Sequence, residues 1–347
     1  MKRNERQSQR GTARCLPAVR IFGWAAAGIA FLAVAVAAAP PAAQGATRST
    51  ARRASAPAET AWPPAFRPEA LGAASAILVE GGTGEILYAH APREHRAPAS
   101  LTKVMTAVVV LERARLADQV AVSPRAPQAG GHSMGLRAGQ RLSVRDLLAA
   151  LLIRSANDAG VALAEHVGGS VTGFADLMNA KARALGMRDS QFRNPHGLDA
   201  PDHYSTAYDL ALLTRYALQS PTFAELVRAR QVTITLQSPG KTRNRRPVVA
   251  RRVVRSHNRL LAAFEGADGV KTGFTSEAGR CLVASAQRGD RRLIAVLLND
   301  PRRWDDAASL LEYGFTRLGA PAATRAAAPG GLAPPPRFVP EDPQVGG

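Results

Sequence analysis

The hydrophobic period of this chain changes twice between residues 70 and 318, and that order restricts the fold more than any other feature. Strand-like runs cover Ala73 to Glu80 and Glu85 to Ala89, with the turn Gly81-Gly82-Thr83-Gly84 between them. This pattern predicts a hairpin. A glycine-rich loop can also cradle phosphate, but no Lys-Ser/Thr follows this one, and it joins two strands. Helical spacing then takes over. Ser100 opens a run through Arg113 with Leu101, Val104, Met105 and Val108 on one stripe, and Leu142 to Asp146 opens a helix carrying Leu147, Leu148, Leu151 and Leu152. Further helices are expected over 160–166, 171–185, 208–218 and 221–229. Period two returns over 231–237, 248–254, 279–287 and 292–299, and a last helix is expected over 307–318. Two strands, a block of helices, several strands and a terminal helix predict an α+β fold with an antiparallel sheet.

The flanks are of another kind. Residues 1–20 carry six basic side chains and one acid, and the uncharged apolar run from Ile21 to Ala39 follows. These are the n-region and h-region of an export signal, with small residues at Ala43-Gln44-Gly45 open to cleavage. The run also approaches the roughly 20 residues that span a bilayer, so an uncleaved signal anchor tethering the chain to the membrane is the alternative. Either way the rest of the chain is expected outside the cytoplasm, in the periplasm or on the outer face of the membrane. The domain reading is a signal peptide or anchor over 1–45, a disordered Ala/Pro/Arg linker over 46–69, a catalytic domain over 70–318 and a disordered Pro/Ala-rich tail over 319–347.

Lys and Arg outnumber Asp and Glu by 45 to 27, a net charge of +18. Without residues 1–45 the balance is 39 against 26, or +13. Export argues against nucleic acid as the partner, leaving an anionic envelope or a solvated arginine-rich face. The two cysteines, Cys15 and Cys281, give no disulfide framework, and Cys281 reads as a buried, inert thiol. No metal-ligand cluster and no cofactor motif are present.

Three short strings carry chemistry: Ser100-Leu101-Thr102-Lys103, Ser155-Ala156-Asn157 and Lys271-Thr272-Gly273. Together they supply a hydroxyl, an amine, a second hydroxyl and a second amine, which suffice for acyl transfer without histidine. Ser100 and Lys103 share one helix face, and the positive helix end favours a developing alkoxide. Burial beside a second cation lowers a lysine's pKa enough to make it a general base, so Lys103 is the candidate base for Ser100. Ser155 can relay a proton to a leaving amine, and Asn157 can hold a peptide carbonyl or the lysine. Lys271 and Thr272 can bind a carboxylate, while Gly273 lets a substrate backbone lie along the strand edge. Lys241-Thr242-Arg243 lacks the glycine and is set aside as a decoy.

With Pro98 to Lys103, Leu151 to Ala159, Asn194-Pro195-His196-Gly197-Leu198 and Asp268 to Thr275, the chain resembles the D-alanyl-D-alanine carboxypeptidases, low-molecular-mass penicillin-binding proteins of serine DD-peptidase type. The resemblance covers about residues 70–318. It implies a penicillin-recognising, β-lactamase-like fold with the site between a helical lobe and an antiparallel sheet. It implies Ser100 as acyl-enzyme nucleophile, Lys103 as proton acceptor, Ser155 as an assisting residue and Lys271 as a substrate-binding residue. The N–H groups of Ser100 and Phe274 would form the oxyanion hole, and Arg302 or Arg303, with Arg303 preferred, would hold the substrate's terminal carboxylate. The implied partners are a peptidoglycan stem peptide and β-lactam inhibitors. A class A β-lactamase shares the three motifs but needs a glutamate to activate the deacylating water, and residues 189–199 contain none. A His196–Asp199 triad lacks a serine in a nucleophile elbow. A silent wall- or β-lactam-binding protein would not need the intact set of Ser100, Lys103, Ser155, Asn157 and Lys271.

Overall fold

The computed structural model describes residues 65–240 and 246–319. The export signal, the tail beyond 319, most of the linker and the decoy at 241–243 lie outside the described residues. Chain order within them is β1 (Ser75–Glu80), β2 (Ile86–His90), α1 (Thr102–Arg113), β3 (Gln119–Ala121), β4 (Arg141–Ser143), α2 (Val144–Ile153), α3 (Asn157–Gly168), α4 (Val171–Ala184), α5 (Ala207–Ala217) and α6 (Pro221–Arg228). Then follow β5 (Gln231–Ser238), β6 (Val248–Arg255), the short α7 (Leu260–Ala263), β7 (Ala267–Thr275), β8 (Gly279–Arg288), β9 (Arg291–Leu298) and α8 (Arg303–Gly319). None of the described helices is long and apolar enough to cross a membrane.

The antiparallel sheet runs β2-β1-β9-β8-β7. Its central strands alternate strictly between two cores: Ile77, Val79, Val283, Ile294 and Val296 face the layer built by α1 to α6. Their neighbours Ala76, Leu78, Leu282, Ala284, Leu293 and Ala295 face α8. Burial on both sides explains why β8 and β9 read as nearly unbroken apolar runs. Each large side chain so buried contributes roughly 1.5–3 kcal/mol of transfer free energy. Local signals set the helix starts. Ser143, Ser170, Thr206 and Ser220 each cap a helix by accepting a backbone N–H from three residues on, and Pro221 sits at the first position of α6.

The single sheet expected from the sequence is divided in two. β5 and β6 join β3 and β4 in a separate four-stranded sheet of order β3-β4-β5-β6, in which Arg141 pairs with Gln237. Consequently β7 is an edge strand, paired among the described residues with β8 alone. That open edge carries Lys271-Thr272-Gly273. The packed body also starts earlier than residue 70, because the Phe66 ring sits 4.9 Å from that of Tyr88 and 5.0 Å from that of Tyr313.

Candidate active site

Ser100 lies in the 3-10 turn Ala99–Leu101 that feeds directly into α1. Ala99 takes φ +48°, a left-handed conformation that costs a non-glycine residue on the order of 1 kcal/mol and turns Ser100 towards β7. The approach is close: a Cβ on Gly273 would stand 3.1 Å from Ala99 Cβ and 3.3 Å from Ser100 N. A side chain at 273 would therefore crowd the turn that carries Ser100. One helical turn on, Lys103 Nζ lies 2.8 Å from Ser100 Oγ and donates to the His196 carbonyl at 2.6 Å.

Lys103 is fully buried, and burial, with Lys271 as a nearby second cation, holds its ammonium well below the usual lysine range. A neutral amine has one lone pair and two protons. It can thus accept the Ser100 hydroxyl proton while still donating to His196.

Between α2 and α3, Ser155 takes φ +63° and is buried, so its hydroxyl turns inward from a tight inter-helical link. Lys271 Nζ donates to Ser155 Oγ at 2.9 Å and to the Thr272 carbonyl at 2.8 Å. Burial and Arg303 push Lys271 down to about 7. Asn157 opens α3 and donates from Nδ2 to the Gly130 carbonyl at 2.9 Å. Its Oδ1 is buried and has no partner among the described residues.

Two loops complete the enclosure. In the turn 194–198, Asn194 Oδ1 accepts from the N–H groups of His196 and Gly197, at 3.2 and 2.7 Å, and its Nδ2 donates to the Leu198 carbonyl at 2.8 Å. This turn presents the His196 carbonyl to Lys103. The His196 ring, pushed down to about 3 mainly by burial, is a neutral structural group, so the turn reading holds over the triad reading. On the opposite side, Asp158 accepts from Ser133 Oγ at 2.6 Å and from the N–H groups of Met134 and Leu136, pinning the loop that follows His132. The cleft between them has a volume of ≈ 390 Å³ and is lined in part by Ser100, His132, Asn157, Leu198, Asp199 and Phe274.

Ser100, Lys103, Ser155, Asn157 and Lys271 thus converge, from three separate parts of the chain. Phe274 lines the cleft with an exposed side chain. Thr272 contributes its carbonyl to Lys271, while Thr275, rather than Thr272, is among the cleft-lining residues and donates to Asp199 at 2.7 Å. The two arginines part company. Arg303 Nη1 donates to the carbonyls of Gly273 and Cys281, at 2.7 and 3.1 Å, while Arg302 turns to the Ala70 carbonyl and Asp306. Only Arg303 lies against the Lys271-Thr272-Gly273 strand. Cys281 is buried and its thiol is pushed up to about 11, as an inert core residue should be. Sequence reasoning missed the His196 carbonyl and His132: the first is a backbone atom signalled only by Asn194 and Gly197, and the second stands in no motif.

The Lys271 charge acts on Lys103, which gives a test of the base. Lys103 acts once deprotonated, so acylation of Ser100 rises with pH through the Lys103 pKa. Removing the cation with Lys271→Gln raises that pKa, and the acid limb should move to higher pH as acylation slows by about 10–100-fold. Acylation by a small thioester, followed from pH 5 to 10, reads both effects. A limb that stays put would remove Lys103 from the base role.

A family model described as D-alanyl-D-alanine carboxypeptidase matches residues 60–302. Among curated proteins the chain is 35% identical over 253 residues to D-alanyl-D-alanine carboxypeptidase DacF of Bacillus subtilis, covering 71% of this chain and 62% of that one. It is 37% identical over 263 residues to the Escherichia coli carboxypeptidase DacD, covering 72% and 64%. The match therefore spans less than two thirds of these relatives' length. Among solved structures, a Streptomyces DD-transpeptidase superposes with a TM-score of 0.66 at 30% identity, covering 71% of this chain and 98% of that one. A Francisella tularensis DacD gives 0.65 at 29%, covering 74% and 73%.

Proposed function

The chain belongs to the D-alanyl-D-alanine carboxypeptidase family, and from that premise we propose that it removes the terminal D-alanine from peptidoglycan pentapeptides through an acyl-enzyme on Ser100. The observation that carries the reading is the fully buried Lys103, with Nζ 2.8 Å from Ser100 Oγ. Ser100 Oγ attacks the carbonyl carbon of the penultimate D-alanine and gives its proton to the Lys103 amine. The tetrahedral oxyanion is met by the N–H groups of Ser100 and Phe274, each contributing about 3 kcal/mol. As the C–N bond breaks, Lys103 returns the proton, through Ser155, to the nitrogen of the departing D-alanine. The ester left on Ser100 is then hydrolysed, water adding its hydroxyl to the acyl carbon and a proton to Ser100 Oγ. Lys271, beside Ser155, attracts the substrate's C-terminal carboxylate, with Arg303 behind the same strand.

β-Lactams acylate the same serine. Asp199 is the one carboxylate among the residues lining the cleft, and it already accepts from Thr275, so no side chain there is set to activate water as a β-lactamase glutamate does. The adduct is expected to be long-lived. The apolar run behind a basic N-terminus supports an extracytoplasmic location, in the periplasm or tethered to the outer face of the membrane.

Two measurements test the reading. Diacetyl-lysyl-D-alanyl-D-alanine should release free D-alanine, and a fluorescent penicillin should leave a stable adduct on the peptide containing Ser100, read by mass spectrometry. No release of D-alanine sinks the carboxypeptidase reading, and rapid loss of the label would favour a β-lactamase.

A further inference from the structure

A second groove, of ≈ 520 Å³, opens between the loop at Ser133–Met134 and strand β6. Arg154, Arg252 and Arg255 are among the residues lining it, and no acidic residue is. Arg252 is half-buried and donates from Nη1 to the Met134 carbonyl at 2.9 Å, which fixes its side chain across the groove. Arg154 Nη1 lies 2.8 Å from His257 Nε2. Because a guanidinium only donates, that nitrogen must accept, and His257 stands there neutral. Burial and the Arg154 charge push its pKa down in the same sense. No carboxylate among the described residues forms an ion pair with any of the three arginines. Elsewhere on this surface Arg93, Arg115, Arg145, Arg193, Arg288 and Arg292 each meet an acid.

The groove adjoins the cleft. His132, which lines the cleft, precedes Ser133; Arg154 precedes Ser155; and the His132 and His257 rings are 5.5 Å apart. Like charges held together in a concavity repel one another, and an anion relieves that repulsion while gaining charge-assisted hydrogen bonds. The neighbouring Lys271 is spoken for by the carboxylate at the end that departs. A second anion on the same substrate must come from the part that stays on the enzyme.

We propose that the groove of Arg154, Arg252 and Arg255 is a subsite for a carboxylate on a side chain of the acyl-donor peptide, upstream of the bond that is cut. It selects donors whose residue before D-alanyl-D-alanine ends in a carboxylate, and it disfavours those ending in an ammonium. This rests on the carboxypeptidase reading above and adds to it the substrate's charge. Direct pairing with one guanidinium corresponds to about tenfold or more in kcat/KM.

The test uses an isosteric pair of donors, acetyl-2-aminoadipyl-D-alanyl-D-alanine and its side-chain amide, with the full chain as enzyme. The acid should be cleaved with kcat/KM about tenfold or more above the amide, the lysyl analogue below both, and the preference should shrink as salt rises from 20 mM to 500 mM, since the Debye length falls several-fold. In Arg252→Gln with Arg255→Gln the ratio of acid to amide should fall towards one, at a melting temperature that confirms folding. The salt series on the unaltered protein keeps the test decisive if that variant does not fold. Equal kcat/KM for acid and amide in the unaltered protein, with D-alanine released from both, overturns the subsite and leaves the carboxypeptidase reading standing. So does a variant that keeps the full preference. Release from none of the donors overturns the reading beneath it.

Discussion

Ser100→Ala and Lys103→Met, each alone, should slow D-alanine release by about four orders of magnitude, and the double variant should be no slower than either. The two side chains act as a unit: a hydroxyl without its base is a poor nucleophile, and a base without its hydroxyl has nothing to activate. Their effects on stability should nevertheless be mild. Lys103 is fully buried, and its ammonium would be costly to hold there, which is why it is pushed so far below the usual lysine range. Methionine has a similar length and no charge to desolvate. Removing the buried ionisable group is worth about 1–4 kcal/mol in the fold's favour. Against that, the His196 carbonyl loses the donor that stands at 2.6 Å, which costs about 1–3 kcal/mol. The two terms largely offset each other. Calorimetry should therefore place Lys103→Met within a few degrees of the unaltered protein, or above it, while the rate collapses. A large fall in melting temperature would mean that Lys103 serves the fold rather than the chemistry.

Side-chain chemistry was the part of this site most legible in the sequence. Ser100, Lys103, Ser155, Asn157 and Lys271 could be read from three strings because their functions reside in the identity of the side chain. The hairpin over 75–90 and the long helices were legible for a related reason, since one face of each must be apolar and the period records it. Strand β7 was harder. Ala-Asp-Gly-Val-Lys-Thr-Gly-Phe-Thr has two glycines and neither period, and it is held extended by pairing with β8 and by the close approach of the Ser100 turn. Strands β3 and β4 have three residues each, too few to display alternation, so the second sheet they start was folded into the first in the sequence reading. The groove of Arg154, Arg252 and Arg255 was invisible for another reason. Arg154 lies far in sequence from Arg252 and Arg255, and only the β5–β6 hairpin brings them together. The basic composition announced many arginines but not which of them would lack an acidic partner.

Gly197→Ala should disable the enzyme from a position that bears no functional group. Gly197 takes φ +85°, and a Cβ there would stand 1.8 Å from the Ala99 carbonyl oxygen, 2.4 Å from its carbon and 2.8 Å from Thr102 Oγ1. Two of these are backbone atoms of the turn that carries Ser100, so no rotamer change relieves the clash. Either the 194–198 turn or the Ser100 turn must retreat by about 1.5 Å to restore ordinary contact. The first movement withdraws the His196 carbonyl from Lys103, and the second withdraws Ser100 from Gly273 and the oxyanion hole. A displacement of about 1 Å costs on the order of a hundredfold in rate, and both halves of the site are exposed to it. Acylation by penicillin should accordingly slow by about 100–1,000-fold, with a stability loss of about 3 kcal/mol or more. Gly186→Ala separates the two causes. Gly186 has φ +76° but nothing within 4 Å of its added Cβ, so this variant bears the left-handed strain alone, about 1–2 kcal/mol, and should acylate at the normal rate. If both variants lose stability equally and acylate alike, the left-handed backbone alone accounts for glycine at 197. If only Gly197→Ala fails to acylate, the contact with Ala99 is what seats Ser100 against Lys103.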